Sequence, residues 1–277
     1  MLFFSLLLSS CMLAAQDLKV MTFNIRLNIA VDSLNAWPYR KDMLASQVRY
    51  HNVQLMGVQE ALHMQLTDLE ERLPSFRYTG GGRDDGKEKG EASAIFYDTT
   101  VLYLLASETV WLSETPSVAG SKGWDAAYPR VVTWAKFRHK RSGKIFFAFN
   151  THFDHMGKVA RRESAHMILK LVEKIAGNSK AVITGDFNAT PQDEPIQIII
   201  DKNDAGHLID AKNISVSGHY GPTGTFNAFG SKERDDDPID YIFLKGSWKV
   251  KDHATISQSW KGRFASDHFS VVATLVL

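Results

Sequence analysis

Apolar residues along this chain fall into short runs that stop at Asn, Asp or Glu. Leu18-Lys19-Val20-Met21-Thr22-Phe23-Asn24 alternates and predicts a strand ending in a carboxamide. Residues 53–60 predict a second strand, ending at Glu60, and residues 92–97 a third. Residues 101–112 read as a strand pair, and 131–138 with 144–150 as a hairpin around Ser142-Gly143. Residues 180–184 predict a further strand, and 239–244, 248–255 and 269–277 the late ones. Between them, residues 39–52, 62–73, 158–175 and 194–200 have helical spacing, the second stopping at Pro74. Residues 80–90 form a polar, Gly-rich loop, and 113–130 a long irregular one holding Trp124, Asp125 and Tyr128.

No Pro- or Ser-rich linker divides the chain and no internal repeat stands out, so one domain of 16–277 is expected. Strands cluster as neighbours instead of alternating strictly with helices. A layered mixed sheet of the α/β (α+β) class is therefore expected over a parallel barrel. With 277 residues, a full hydrophobic core is within reach.

A formal net charge of +1 gives no global attraction for nucleic acid or anionic membrane. The single cysteine, Cys11, rules out an intramolecular disulfide. It lies in an apolar stretch, residues 1–15, whose core Leu2-Phe3-Phe4-Ser5-Leu6-Leu7-Leu8 is too short to span a bilayer and suits a secretory signal. Export to the periplasm or outside the cell is expected. Cleavage after Ala15 gives a soluble chain from Gln16; alternatively Leu8-Ser9-Ser10-Cys11 reads as a lipobox that anchors the protein through Cys11.

The chemistry sits where strands end. Asn24, Glu60, His152, Asp186, Asn188, Asp240, Asp267 and His268 come from separate parts of the chain, each at a junction of apolar run and loop. Strands packed into one or two sheets bring such ends to one rim. Carboxylates, amides and two histidines there suit metal-assisted hydrolysis. Oxygen donors without a Cys cluster favour Mg²⁺ or Mn²⁺ over zinc.

Taken together, Thr22-Phe23-Asn24, Gln59-Glu60, Asn150-Thr151-His152, Gly185-Asp186-Phe187-Asn188, Ile239-Asp240-Tyr241 and Ser266-Asp267-His268 resemble the endonuclease/exonuclease/phosphatase (DNase I-like) superfamily over residues 18–277. The resemblance implies a four-layer α/β/β/α sandwich of two mixed sheets flanked by helices, and phosphoester hydrolysis with a divalent metal. By the same resemblance, Glu60 is the main metal ligand, with Asn24 beside it and Asp267 as a second carboxylate. Asp186 orients or deprotonates the attacking water, and Asn188 donates to a phosphoryl oxygen. His268 stands beside the phosphate with Asp240 orienting it. His152 is a candidate proton donor to the leaving group, with Glu91 as its holding carboxylate. Whether Asp186 or His268 takes the water proton is left open.

Four residues are candidates for substrate contact. Arg130 and Arg161 suit a phosphate or a surface role. Trp124, with Tyr128, suits a stacking platform or loop packing. Asp154 reaches the site or forms a salt bridge. The expected activity is exported hydrolysis of a small phosphomonoester or phosphodiester (sugar phosphate, nucleotide or headgroup), with an extracellular nuclease acting on DNA or RNA as the alternative. A monomer without a stable protein partner is expected.

Overall fold

The computed structural model describes residues 17–230 and 237–277. The segment 1–15 and most of the charged cluster at 232–237 lie outside the described residues. Fifteen strands are described: β1 (Asp17–Asn24), β2 (Leu55–Ala61), β3 (Phe76–Thr79), β4 (Ala92–Asp98), β5 (Leu102–Trp111), β6 (Val131–His139), β7 (Ile145–His152), β8 (Ala181–Asp186), β9 (Ile209–Asp210), β10 (His219–Tyr220), β11 (Asp240–Lys245), β12 (Lys249–Ile256), β13 (Ser259–Trp260), β14 (Arg263–Phe264) and β15 (Ser270–Val276). Four α-helices accompany them: α1 (Lys41–Tyr50), α2 (His63–Arg72), α3 (Lys158–Ala176) and α4 (Glu194–Ile200).

Seven strands form one mixed sheet in the order β10-β12-β15-β1-β2-β4-β3, and six form a second, β5-β6-β7-β8-β11-β9. Three apolar clusters separate four layers. Leu44, Val48, Leu66 and Leu69 of α1 and α2 pack on Phe23, Met56 and Phe96 of the first sheet. Ile168, Val172, Ile196 and Ile199 of α3 and α4 pack on Phe149, Ile183 and Phe243 of the second. Leu18, Val20, Leu55, Phe137, Phe146, Val182 and Leu244 meet between the sheets. The α/β/β/α sandwich is thus the observed architecture.

Strand alternation puts every second residue into the inter-sheet space. Along β1 that face reads Leu18, Val20, Thr22, Asn24; along β8 it reads Val182, Thr184, Asp186; back along β11, Leu244, Ile242, Asp240. Apolar side chains give way to polar ones toward a single rim. A buried hydrogen-bonded layer marks the change. Gln59 Nε2 donates to Thr22 Oγ1 (3.1 Å) and Asn150 Oδ1 (2.7 Å), and Thr184 Oγ1 donates to the same Asn150 oxygen (3.0 Å). Asn150 Nδ2 donates to the carbonyls of Val58 and Ala94 across the sheets. Gly57 lies under this layer: a Cβ there would stand 2.1 Å from Thr184 Oγ1.

Two expectations change. Residues 101–112 are not a strand pair; β5 is one continuous ten-residue strand with a register shift between Leu104 and Ala106. It is an edge strand, so the polar Ser107-Glu108 faces solvent and does not mark a turn. The short strands β3, β9, β10, β13 and β14 were not expected. They are two to four residues long and exist through their neighbours' pairing, not through a local pattern.

Candidate active site

The polar ends converge in a cleft of about 500 Å³ lined by Glu60, Glu91, Arg130, His152, Asp186, Asn188, Asp267 and His268, together with Arg26, Arg83, Tyr128 and Phe226. Asp186 is the hub. Its Oδ2 accepts from Asn24 Nδ2 at 2.9 Å and lies 3.5 Å from His152 Nε2 and 3.8 Å from His268 Nε2, while Oδ1 accepts from the Asn188 amide at 2.9 Å. His268 Nδ1 bonds Asp240 Oδ2 at 2.9 Å, so the expected His–carboxylate pair is formed. β11 pairs with β8 in the register Asp240↔Asp186, which sets the two carboxylates side by side.

Backbone strain gathers here. Arg26, Glu60 and Asn188 have φ of 54°, 58° and 47°, a region that non-glycine residues seldom adopt. At Glu60 the cause is a register shift between β2 and β4 after Val58, which turns the side chain out of the ladder and into the cleft. The loop after β1 is fastened from below by the buried Arg40, whose guanidinium donates to the carbonyls of Ile25, Arg26, Asn35 and Ala265.

Burial raises the Asp186 carboxyl to about 7, and neighbouring Asp240 adds to the shift. Burial pulls His268 the other way, toward its neutral form. The Asp240 carboxylate, with Asp186 behind it, outweighs that and lifts the imidazole to about 10. His152 goes the opposite way: burial, then Arg130 and Arg83, hold it well below the usual histidine range.

Several expected roles meet different geometry. Glu91 does not hold His152; it pairs with Arg83 at 2.8 Å. His152 Nε2 instead accepts from Asn188 Nδ2 at 3.0 Å, which suits a neutral ring that orients Asn188 in place of a proton donor. The second Asn188 amide proton goes to the Phe153 carbonyl, so this side chain offers Oδ1 as an acceptor and no donor to a phosphoryl oxygen. Asn24 likewise turns its amide nitrogen to Glu60 Oε1 (3.1 Å) and Asp186, with Oδ1 taken by the Arg26 amide (3.0 Å), so it braces the carboxylates.

Of the four substrate candidates, only Arg130 lines the cleft. It is held by Asp154 (3.2 Å) and by His155 Nδ1 (3.1 Å). Asp154 is a loop pin: it also accepts from the amides of Tyr128, Met156 and Gly157. Arg161 donates to the Asp154 carbonyl, and neither it nor Trp124 lines the cleft. The Tyr128 ring stacks on His155 and carries the Arg83 guanidinium 4.8 Å from its centroid. Arg26, Arg83 and Phe226 were not expected. Arg26 stands two residues past Asn24, a signal the strand-end pattern passes over; the other two sit in loops without one.

Asp186, Asp240 and His268 bring ligand atoms within 4.8 Å of one another, yet the Asp240–His268 bond already uses an atom of each of those two. Glu60, Asp186 and Asp267 are carboxylates that face open volume, and an all-oxygen set fits a hard divalent cation. Arg26, 3.9 Å from Glu60 and 3.7 Å from Asp267, gathers these acids beside one another.

A family model described as the endonuclease/exonuclease/phosphatase family matches residues 21–268. The chain belongs to that family, whose members are metal-dependent phosphoester hydrolases, and it is an enzyme of this class. It is 39% identical to the endonuclease/exonuclease/phosphatase from Bacteroides vulgatus, with a TM-score of 0.90 over 95% of this chain and 99% of that one. It is 37% identical to a mannosyl-6-phosphatase of Bacteroides thetaiotaomicron VPI-5482, with a TM-score of 0.88 over 94% of this chain and 100% of that one. An uncharacterized protein, L388, of Acanthamoeba polyphaga mimivirus is 29% identical over 62% of this chain and 67% of its own length.

Proposed function

We propose that this protein hydrolyses the phosphate monoester of a sugar or similarly small polyol, with Mg²⁺ or Mn²⁺ as the cation. The observation that carries this is the cleft itself. Its volume, about 500 Å³, is that of a small-molecule site, and its acidic and imidazole groups share it with Arg83, Arg130 and Tyr128. Similarity to a mannosyl-6-phosphatase supports a sugar phosphate. The nuclease alternative is the weaker reading, because Arg26, Arg83 and Arg130 are each paired with a carboxylate and the chain's net charge is +1.

Glu60 and Asp267, with Asp186 adjoining, would hold the cation, which supplies charge neutralisation at the phosphoryl oxygens. Asp186 takes the proton of the attacking water: a carboxyl raised to about 7 is a better base at neutral pH than an ordinary one. As the water oxygen bonds to phosphorus the ester P–O bond breaks, and the departing alkoxide takes its proton from solvent water at the mouth of the cleft. His268, kept protonated by Asp240, donates to a phosphoryl oxygen instead of acting as the base. Asn188, with both Nδ2 protons donated to His152 and the Phe153 carbonyl, presents Oδ1 as an acceptor that orients the water.

The test is phosphate release from mannose 6-phosphate, other sugar phosphates and a phosphodiester, run beside cleavage of single- and double-stranded nucleic acid, with Asp186→Ala as control. Turnover of a sugar phosphate lost in Asp186→Ala is expected. Rapid nucleic-acid cleavage with no small-ester turnover would overturn the reading. The apolar segment at 1–15 motivates a second proposal, that the enzyme works outside the cytoplasm as a soluble chain starting near Gln16. Mass spectrometry of the mature N-terminus checks this. An uncleaved chain in the cytoplasm contradicts it, and a lipidated Cys11 changes it to an anchored form.

A further inference from the structure

Behind the His268–Asp240 pair lies a second, much smaller cavity whose polar lining does not balance. Asp240 is 2% exposed, and its buried Oδ1 has no hydrogen-bond partner among the described residues, although Oδ2 is taken by His268. A bare carboxylate oxygen in that position is costly unless a donor reaches it. The cavity beside it, lined by Asp240, Thr225 and His253 among others, has about 10 Å³ open to a water centre. That is roughly the space of one water.

The hydrogen bonds around the cavity fix what such a water would meet. Thr225 Oγ1 accepts from the amides of Ile239 (3.1 Å) and Asp240 (3.2 Å), so its own proton is left to donate. His219 and His253 are register partners in β10 and β12, with their Nδ1 atoms 2.9 Å apart. His219 Nε2 bonds the Pro222 carbonyl at 3.0 Å, which places the His219 proton on Nε2. Nδ1 of His219 is therefore the acceptor, Nδ1 of His253 the donor, and Nε2 of His253 is left as an acceptor. Burial, then His219, keeps His253 unprotonated at neutral pH, consistent with this tautomer.

Two acceptors, Asp240 Oδ1 and His253 Nε2, and one donor, the Thr225 hydroxyl, thus line one cavity. A single water donating twice and accepting once satisfies all three. We infer that such a water is bound there, and that His253, with His219 setting its tautomer, is a positioning residue that acts through Asp240 on His268. The catalytic part of this inference rests on the reading of His268 given above; the water itself does not.

The experiment has two arms. A crystal structure of the parent protein, at a resolution that orders internal waters, is expected to show density for a water bridging Asp240 Oδ1, His253 Nε2 and Thr225 Oγ1. Kinetics with mannose 6-phosphate and Mg²⁺ then compare two variants. His253→Asn keeps a donor to His219 and withdraws the Nε2 acceptor; kcat is expected to fall about tenfold with KM unchanged, the scale of losing an outer-shell partner. His253→Gln keeps an acceptor near the Nε2 position and is expected to hold kcat near the parent's. A crystal with no water in the cavity overturns the inference. Equal kcat in parent and His253→Asn, or equal losses in both variants, overturns the positioning role. If His268→Ala keeps full turnover, the catalytic reading of His268 has failed, and the crystal still decides the water.

Discussion

At one end of the space between the sheets, Leu18, Leu55, Phe146, Val182 and Leu244 pack together out of water. At the other end, four to six residues along the same strands, stand Asn24, Gln59, His152, Asp186 and Asp240. The closed end gains from burial. The open end holds carboxyls that burial pushes up, and backbone in left-handed conformations at Arg26, Glu60 and Asn188. Each such backbone residue costs about 1–3 kcal/mol unless its surroundings over-determine it. The strands are therefore levers: packing at one end fixes the position of chemistry at the other, and the buried Gln59–Asn150–Thr184 layer is the joint between them.

If the two ends divide the labour in this way, substitutions should separate activity from stability. Asp186→Asn should lower kcat/KM on a small phosphate ester by about a thousandfold, roughly 4 kcal/mol of barrier, while its Tm stays within a few degrees of the parent. Steady-state kinetics and a thermal melt on one sample check both halves. Phe137→Ala at the closed end should do the reverse, losing about 3–5 kcal/mol of stability with kcat per folded molecule unchanged. Denaturant titration reads the loss, and a large drop in kcat for that variant would break the division.

The joint should respond on both counts. A Cβ at residue 57 would sit 2.1 Å from Thr184 Oγ1 and 2.4 Å from Asn150 Oδ1, so Gly57→Ala must shift the layer. The expected loss is about 1–3 kcal/mol of stability together with lower kcat. A variant that loses stability alone would show that the layer does not position the rim.

The smallest effect is in pH. His253 falls from an ordinary 6.5 to about 3 in the folded protein, so the unfolded chain binds more protons between those values. Its contribution to stability is full above about 6.5 and is lost as pH falls toward 3, by about 2 kcal/mol at pH 5. Asp186 and Asp210, both raised by burial, contribute with the opposite sign over part of this range. The comparison must therefore be parent against His253→Asn: the parent should lose about 2 kcal/mol more between pH 7.5 and 5. Parallel pH curves for the two would contradict the assignment.

How far the sequence reached follows the same division. The residues of the cleft floor, and Asp240 behind it, were readable because each one stands where an apolar run meets a loop, and a strand's period carries its end residues to a known face. Glu60, Asp186, Asp240, Asp267 and His268 were found in that way. Partners across loops were not readable. Glu91 was expected on His152 and pairs with Arg83, because the Gly-rich loop folds Arg83 back over residue 91. Trp124 and Arg161 lie away from the cleft, while Arg26 and Phe226 enter it, through packing between segments far apart in the chain. The amide directions of Asn24 and Asn188 were equally out of reach, since each depends on a backbone group that only the folded chain supplies.

If the open end holds a divalent cation and uses it on a small phosphate monoester, turnover depends on both Mg²⁺ and Glu60. Titrating Mg²⁺ into chelator-stripped protein while following phosphate release from mannose 6-phosphate, for the parent and for Glu60→Gln, measures that dependence. The parent should be inactive without metal and saturate as Mg²⁺ is added. Glu60→Gln should need at least about tenfold more Mg²⁺, the lower end of what losing one ligand's support brings. Full turnover in excess chelator, or the same Mg²⁺ requirement in both proteins, would rule out a cation held by Glu60.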